Sequence, residues 1–199
     1  MTITEMRIPI ITTILLLTLF TSCKEESTPK PNAFLALDYP NQEYTTYKNA
    51  NGFEFSQNKW STVKEGKNSS LEIHYPQMKA TIFINYKPVE NNINLLLKDA
   101  QKLTYEHFVK ADEIIEQPFI NTKDRVYGMF YNVEGNAATN VQFYATDSVK
   151  NFLVASLYFY AKPNFDSILP ASEYVKRDMR KLIETLQWTE KQQSSPVHP

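Results

Sequence analysis

Phe152-Leu153-Val154-Ala155-Ser156-Leu157-Tyr158-Phe159-Tyr160 is nearly continuous in apolar and aromatic character. A strand wetted on one face alternates polar with apolar residues, whereas an unbroken short run fits a central strand covered on both faces. The stretch is also far short of the about 20 residues that a membrane-spanning helix needs. It therefore predicts the middle of a sheet, with neighbours on either edge and a layer above and below.

Working upstream, three further strands are expected: Glu113 to Ile120, broken near Pro118; Arg125 to Val133; and Asn140 to Ala145. Glu134-Gly135-Asn136 and Thr146-Asp147-Ser148 between them have the chemistry of hairpin turns. Downstream, Pro163 to Ser167 leads into a helix over about Pro170 to Gln187. Pro170 is tolerable in a first turn, and Glu173 lies where the helix dipole favours an acid. Ile168, Val175, Met179, Leu182, Ile183 and Leu186 form its buried stripe, Arg177, Arg180 and Lys181 its wet side, and Trp188 closes the packing.

Earlier in the chain, Leu71 to Tyr75 and Ala80 to Tyr86 alternate with β-branched and aromatic residues, as half-buried strands do. Phe53-Glu54-Phe55 alternates likewise after an Asn51-Gly52 turn, and Ala33 to Asp38 reads as a first strand. Asn41 to Ala50 reads as irregular, with Tyr44 and Tyr47 as packing lids, and Lys64 to Ser69 as a polar loop. From Asn92 to Ala111, Ile93, Leu96, Leu97, Ala100, Leu103, Phe108 and Ala111 fall on a 3.6-residue stripe, which predicts a helix. Strands, helix, strands, helix, joined by hairpins, make an α+β fold: a largely antiparallel β-sheet with two main helices packed on it. The PsbP-like fold has a similar order, an analogy of topology that carries no function.

Composition agrees with the pattern. Twelve Tyr and twelve Phe against four Gly suit broad packed sheet faces. A formal net charge of −1 gives bulk electrostatic attraction to neither nucleic acid nor an anionic lipid surface, and scattered basic residues argue against a nucleic-acid partner.

The N-terminus has a different design. Arg7 opens an apolar run from Ile8 to Phe20, followed by the small residues Thr21 and Ser22 and then Cys23, the one cysteine of the chain. As a helix the run reaches roughly 20 Å, short of a hydrocarbon core of about 30 Å, so it fits a cleavable signal. The cysteine placed directly after it predicts a lipobox, with Cys23 acylated, palmitate among its chains; two or more chains make stable membrane attachment. Phe20 stands where a leucine is usual. Lys24-Glu25-Glu26 resembles a surface-export signal and points to the outer rather than the inner membrane. The expected organisation is a signal peptide over 1–22, a lipidated cysteine and tether over 23–32, one globular domain over 33–189 and a tail over 190–199.

Once Cys23 is acylated no thiol remains for a disulfide, a nucleophile or a thiolate metal site. His74, His107 and His198 share no metal-ligand spacing. No HExxH, GxSxG or glycine-rich phosphate loop occurs. Ser148 and Ser167 each follow an aspartate, but Asp147 and Asp166 read as turn and cap residues. Sequence thus predicts no catalytic residue, metal site or cofactor, and no small-molecule substrate.

Several segments carry a family resemblance: Asn121 to Phe130, Gly135-Asn136-Ala137-Ala138-Thr139-Asn140-Val141-Gln142-Phe143, Ala145-Thr146-Asp147-Ser148, Phe152 through Ser167, and Pro29 to Pro40. Together they resemble the GldD family of gliding-motility lipoproteins of Bacteroidetes. The resemblance implies a non-enzymatic, membrane-anchored accessory protein of the cell envelope, required for gliding and linked to type IX secretion. Its implied partners are other envelope proteins of that machinery, and the one site residue it transfers is the acylated Cys23. The alternative is an anchored cell-wall hydrolase or glycan-binding module.

Overall fold

The computed structural model describes residues 37–107, 111–135, 139–160 and 165–190. Its strands are β1 (Tyr44–Asn49), β2 (Phe53–Asn58), β3 (Thr62–Glu65), β4 (Ser70–Tyr75), β5 (Ala80–Pro88), β6 (Ala111–Asn121), β7 (Val126–Gly135), β8 (Thr139–Thr146), β9 (Asn151–Phe159) and β10 (Gln187–Trp188). The helices are α1 (Ile93–His107) and α2 (Phe165–Thr185). Seven strands form one sheet in the order β3-β4-β5-β9-β8-β7-β6, and three form a smaller sheet, β1-β2-β10. Every pairing is antiparallel. This is the expected α+β fold.

The apolar run quoted first is β9, the centre of the large sheet, between β5 and β8. Leu153, Ala155 and Leu157 point to one face and are fully buried with the main core, while Phe152 points to the other and packs with Leu96 and Ala100 of α1. Each buried Leu or Phe contributes about 1.5–3 kcal/mol, so a strand that buries both faces gains roughly twice what an alternating strand does. The main-core face is shared. The small sheet lies over β3–β5, with Phe53 stacked on Tyr86 at 5.6 Å and the Tyr47 hydroxyl donating to Glu65 at 2.6 Å. Beside it α2 lies over β7 and β8, burying Ala171, Val175, Met179, Leu182 and Ile183.

Several expectations need correction. Residues 44–49 form a paired strand rather than irregular chain, because every residue of β1 is in register with β2, and Tyr47 packs on Phe55 against the core. The polar loop begins later than expected, since Thr62–Glu65 is an edge strand on β4. The strand expected to break at Pro118 runs through it: β6 is the sheet edge, where a missing N–H costs no ladder bond on the free side. Leu37 and Asp38 are not in a strand, and the rest of the expected first strand lies outside the described residues.

Both helices also differ from their sequence reading. Ala111 opens β6 instead of ending α1, and Phe108 lies outside the described residues. Leu103 is 36% exposed while Thr104 is fully buried. The buried face of α1 runs Leu96, Ala100, Thr104 at four-residue steps, because Thr104 meets the Gln142 side chain, which donates to its hydroxyl. Gln142 in turn accepts from Ser156 at 3.1 Å, so α1 docks on the sheet partly through a buried polar relay. The last helix starts five residues before Pro170, which is therefore interior. A proline there forfeits one helical hydrogen bond, and the buried Ile168 and Ala171 on either side hold that turn against the core.

Candidate functional site

Helix α2 turns about 100° per residue, so Asp178 falls some 60° from Val175, on the shoulder of the buried stripe. It is 3% exposed. Four donors from three separate stretches converge on its carboxylate. The Gln42 amide and the Tyr44 hydroxyl each donate to Oδ1 at 2.8 Å. The Asn58 amide donates to Oδ2 at 2.8 Å and the Tyr75 hydroxyl at 2.9 Å. A carboxylate offers about four acceptor positions, and all are used. The donors are neutral, so burial dominates and raises the Asp178 pKa above the usual carboxylate value, against the lowering effect of the four hydrogen bonds. The same carboxylate and burial raise the Tyr75 and Tyr44 hydroxyls, burial being the larger cause in each.

Neighbouring contacts extend this joint. Gln42 also donates to the Tyr174 carbonyl at 3.0 Å, and Asn58 to the Tyr174 hydroxyl at 3.0 Å. Tyr39 lies against the Tyr174 ring at 5.6 Å. The segment preceding β1, the ends of β2 and β4, and α2 are thereby tied at one carboxylate. With both oxygens occupied and almost no exposure, Asp178 is arranged to hold elements together. A general base needs access to a substrate proton within hydrogen-bond reach, and this carboxylate is closed on every acceptor side.

The outward ridge of α2 carries a second arrangement. Lys176, Arg177, Arg180 and Lys181 are flanked by Glu173 on one side and Glu184 on the other. The Arg180 guanidinium lies 3.9 Å over the Phe130 ring and donates to Gln117 of β6. Arg177 lies 5.8 Å over Tyr174, and the Lys181 ammonium 5.7 Å over Tyr44. Lys176 pairs with Glu173. Sequence placed Arg180 and Lys181 on the wet side, but each is half-buried by the ring beneath it. Burial lowers the Arg180 pKa, opposed by Glu184.

Among the described residues, those weighed from sequence are not brought together. Cys23 and His198 lie outside the described residues, as does the His107 side chain. His74 sits on β4 with Nδ1 3.0 Å from the Thr81 hydroxyl and Nε2 2.9 Å from Glu72. Asp147 is a turn residue as expected: Oδ1 accepts the backbone N–H groups of Val149, Lys150 and Asn151 at 2.9, 2.8 and 2.8 Å. Burial pushes its pKa up, but those bonds together with Asn151 Nδ2 outweigh it and lower the value. Among the described residues no group of three His, Cys, Asp or Glu is placed to hold a metal ion, and no helix is long and apolar enough to cross a membrane. Asp178 was missed from sequence, although a signal existed: an acid four residues after Tyr174, inside an apolar arc.

Comparison with known proteins supplies the remaining finding. The profile of a family described as "Gliding motility lipoprotein GldD" matches residues 24–188. No curated protein matches the chain. The match ends at Trp188, the last residue of β10, so it spans every described strand and both helices.

Proposed function

This chain belongs to the gliding motility lipoprotein GldD family, and from that premise we propose that it is a non-enzymatic accessory component of the gliding machinery, linked to type IX secretion. The family is one of lipoproteins, so the protein is anchored at a membrane of the cell envelope. In this reading the anchor is an acylated Cys23, which becomes the first residue once the signal peptide over 1–22 is removed. Lys24-Glu25-Glu26 then directs the protein to the outer membrane. The folded domain works by contacts with other envelope proteins of the motility and secretion system.

The observation that carries the reading is the family match over residues 24–188. The character of the most unusual buried group supports it: Asp178 is saturated by four neutral donors and serves as a joint. The test is metabolic labelling with a radioactive fatty acid, alongside colony spreading. Wild-type protein is expected to take up label and a Cys23→Ala variant none, with spreading lost in the variant. Label retained by Cys23→Ala removes the anchor assignment. Normal spreading and normal cargo export in a clean deletion removes the motility and secretion role.

A further inference from the structure

The cationic ridge of α2 lies beside the point where the chain enters the fold. Gln42 donates to the Tyr174 carbonyl and to Asp178, and the Tyr44 ring lies beneath Lys181. The segment leading in from the N-terminus therefore runs along the flank of this ridge. From Cys23 to Leu37 the chain can extend at most about 50 Å, so the ridge stays within tethered reach of the headgroups that hold the anchor. Lys176, Arg177, Arg180 and Lys181 face outward there against Glu173 and Glu184, an excess of positive charge on a chain whose formal net charge is −1. Three of the four lie over aromatic rings, at 5.8 Å for Arg177, 3.9 Å for Arg180 and 5.7 Å for Lys181. Such seating restricts long flexible side chains before any ligand arrives, and so reduces the ordering cost of binding. Guanidinium groups suit phosphate oxygens.

We propose that the ridge formed by Lys176, Arg177, Arg180 and Lys181 docks on the phosphates of anionic phospholipids, so that the anchored domain rests on the membrane along α2. The proposal rests on the anchored reading above. Basic side chains near an anionic surface each strengthen attachment by roughly fivefold, and the effect dies away within a Debye length. The tether supplies a high effective concentration of that surface. This favours lipid over an acidic protein as the occupant, since a protein partner would have to reach the same flank by diffusion.

The experiment uses the mature lipidated protein reconstituted into vesicles of phosphatidylcholine alone or with about 30 mol% phosphatidylglycerol, a strongly anionic surface. Lysines are acetylated with a water-soluble reagent and read by mass spectrometry. Labelling of Lys176 and Lys181 is expected to fall roughly fivefold in the anionic vesicles, while exposed Lys98, on the helix covering the opposite sheet face, is unchanged. About 0.5 M salt restores the labelling. An Arg177→Gln/Arg180→Gln variant, which keeps side-chain bulk at both positions, is expected to lose most of the protection. Equal labelling in both vesicle types, with the protein still floating with lipid, overturns the proposal and leaves the anchor standing. Protection by soluble polyglutamate but not by anionic vesicles also overturns it, in favour of an acidic protein partner. Protein that floats with neither vesicle removes the anchored reading and this proposal with it.

Discussion

Replacing Asp178 by alanine tests whether one carboxylate joins the lead-in segment, the small sheet and α2. The substitution removes the acceptor for Gln42, Tyr44, Asn58 and Tyr75. Gln42 and Asn58 each keep a second acceptor on Tyr174, and half-buried Tyr44 can reach water. Tyr75 is 3% exposed and loses its acceptor in a dry site. A buried unsatisfied donor costs about 1–3 kcal/mol, and hydrogen bonds to a charged group about 1.5–3 kcal/mol. The expected loss is about 2–5 kcal/mol, a large part of a total stability of about 5–15 kcal/mol. For a chain of this size it lowers Tm by about 5–15 °C. Urea unfolding followed by the fluorescence of Trp60 and Trp188 reads it directly.

Asp178→Asn sharpens the same test. The amide keeps one acceptor oxygen, but whichever way it is turned its NH2 meets the NH2 of Asn58 or of Gln42. It also removes a titration. Because burial raises the folded pKa of Asp178, the stability this group contributes is complete below the ordinary carboxylate pKa. That contribution declines as pH rises through the raised value. The gap between wild type and Asp178→Asn is therefore expected to be widest in acid and to narrow as pH rises. An Asp178→Ala protein within about 0.5 kcal/mol of wild type, the usual range for a surface change, would refute the reasoning. A gap to Asp178→Asn that does not change with pH would refute the titration argument.

Other substitutions probe separate parts of the fold. In Gly128→Ala the new Cβ would stand 2.0 Å from the Tyr144 carbonyl oxygen on the neighbouring strand; overpacking against backbone should cost about 3 kcal/mol or more, seen as a lowered Tm. Asp147→Ala strips three backbone N–H groups of their acceptor at the β8–β9 turn and should cost about 1–2 kcal/mol near neutral pH. Since the Asp147 pKa is lowered, that cost should hold above the ordinary carboxylate range and vanish as pH falls through the lowered value, measured by denaturation at stepped pH. Gln142→Leu breaks the relay from Thr104 and Ala100 to Ser156. Amide exchange in Ile93–His107 should quicken while β9 stays protected, because β9 keeps its backbone pairing with β5 and β8.

What the sequence disclosed depended on how each residue meets its surroundings. Phe152 to Tyr160 was legible because burial on both faces leaves no room for polar alternation. Tyr44 to Asn49 was not, since Tyr-Thr-Thr-Tyr-Lys-Asn takes its strand character from pairing with β2, a long-range cause with no local pattern. Leu103 and Thr104 exchanged places because a hydroxyl was needed opposite Gln142, which lies far along the chain. Pro118 and Pro170 misled in the same way, as their cost depends on an edge and on a packed turn that only the assembled fold supplies. Asp178 showed only as an acid inside the apolar arc of the helix; its four donors are scattered from Gln42 to Tyr75, and nothing in the helix announces them.

The pairing of β5 with β9 has a consequence for biogenesis. β5 obtains its second neighbour only from a strand about 70 residues further on, a separation that makes closure slow relative to local structure. A chain made from its N-terminus therefore has β3, β4 and β5 in hand well before the strand that completes them. The large sheet is therefore completed only when the last of its strands in chain order is available.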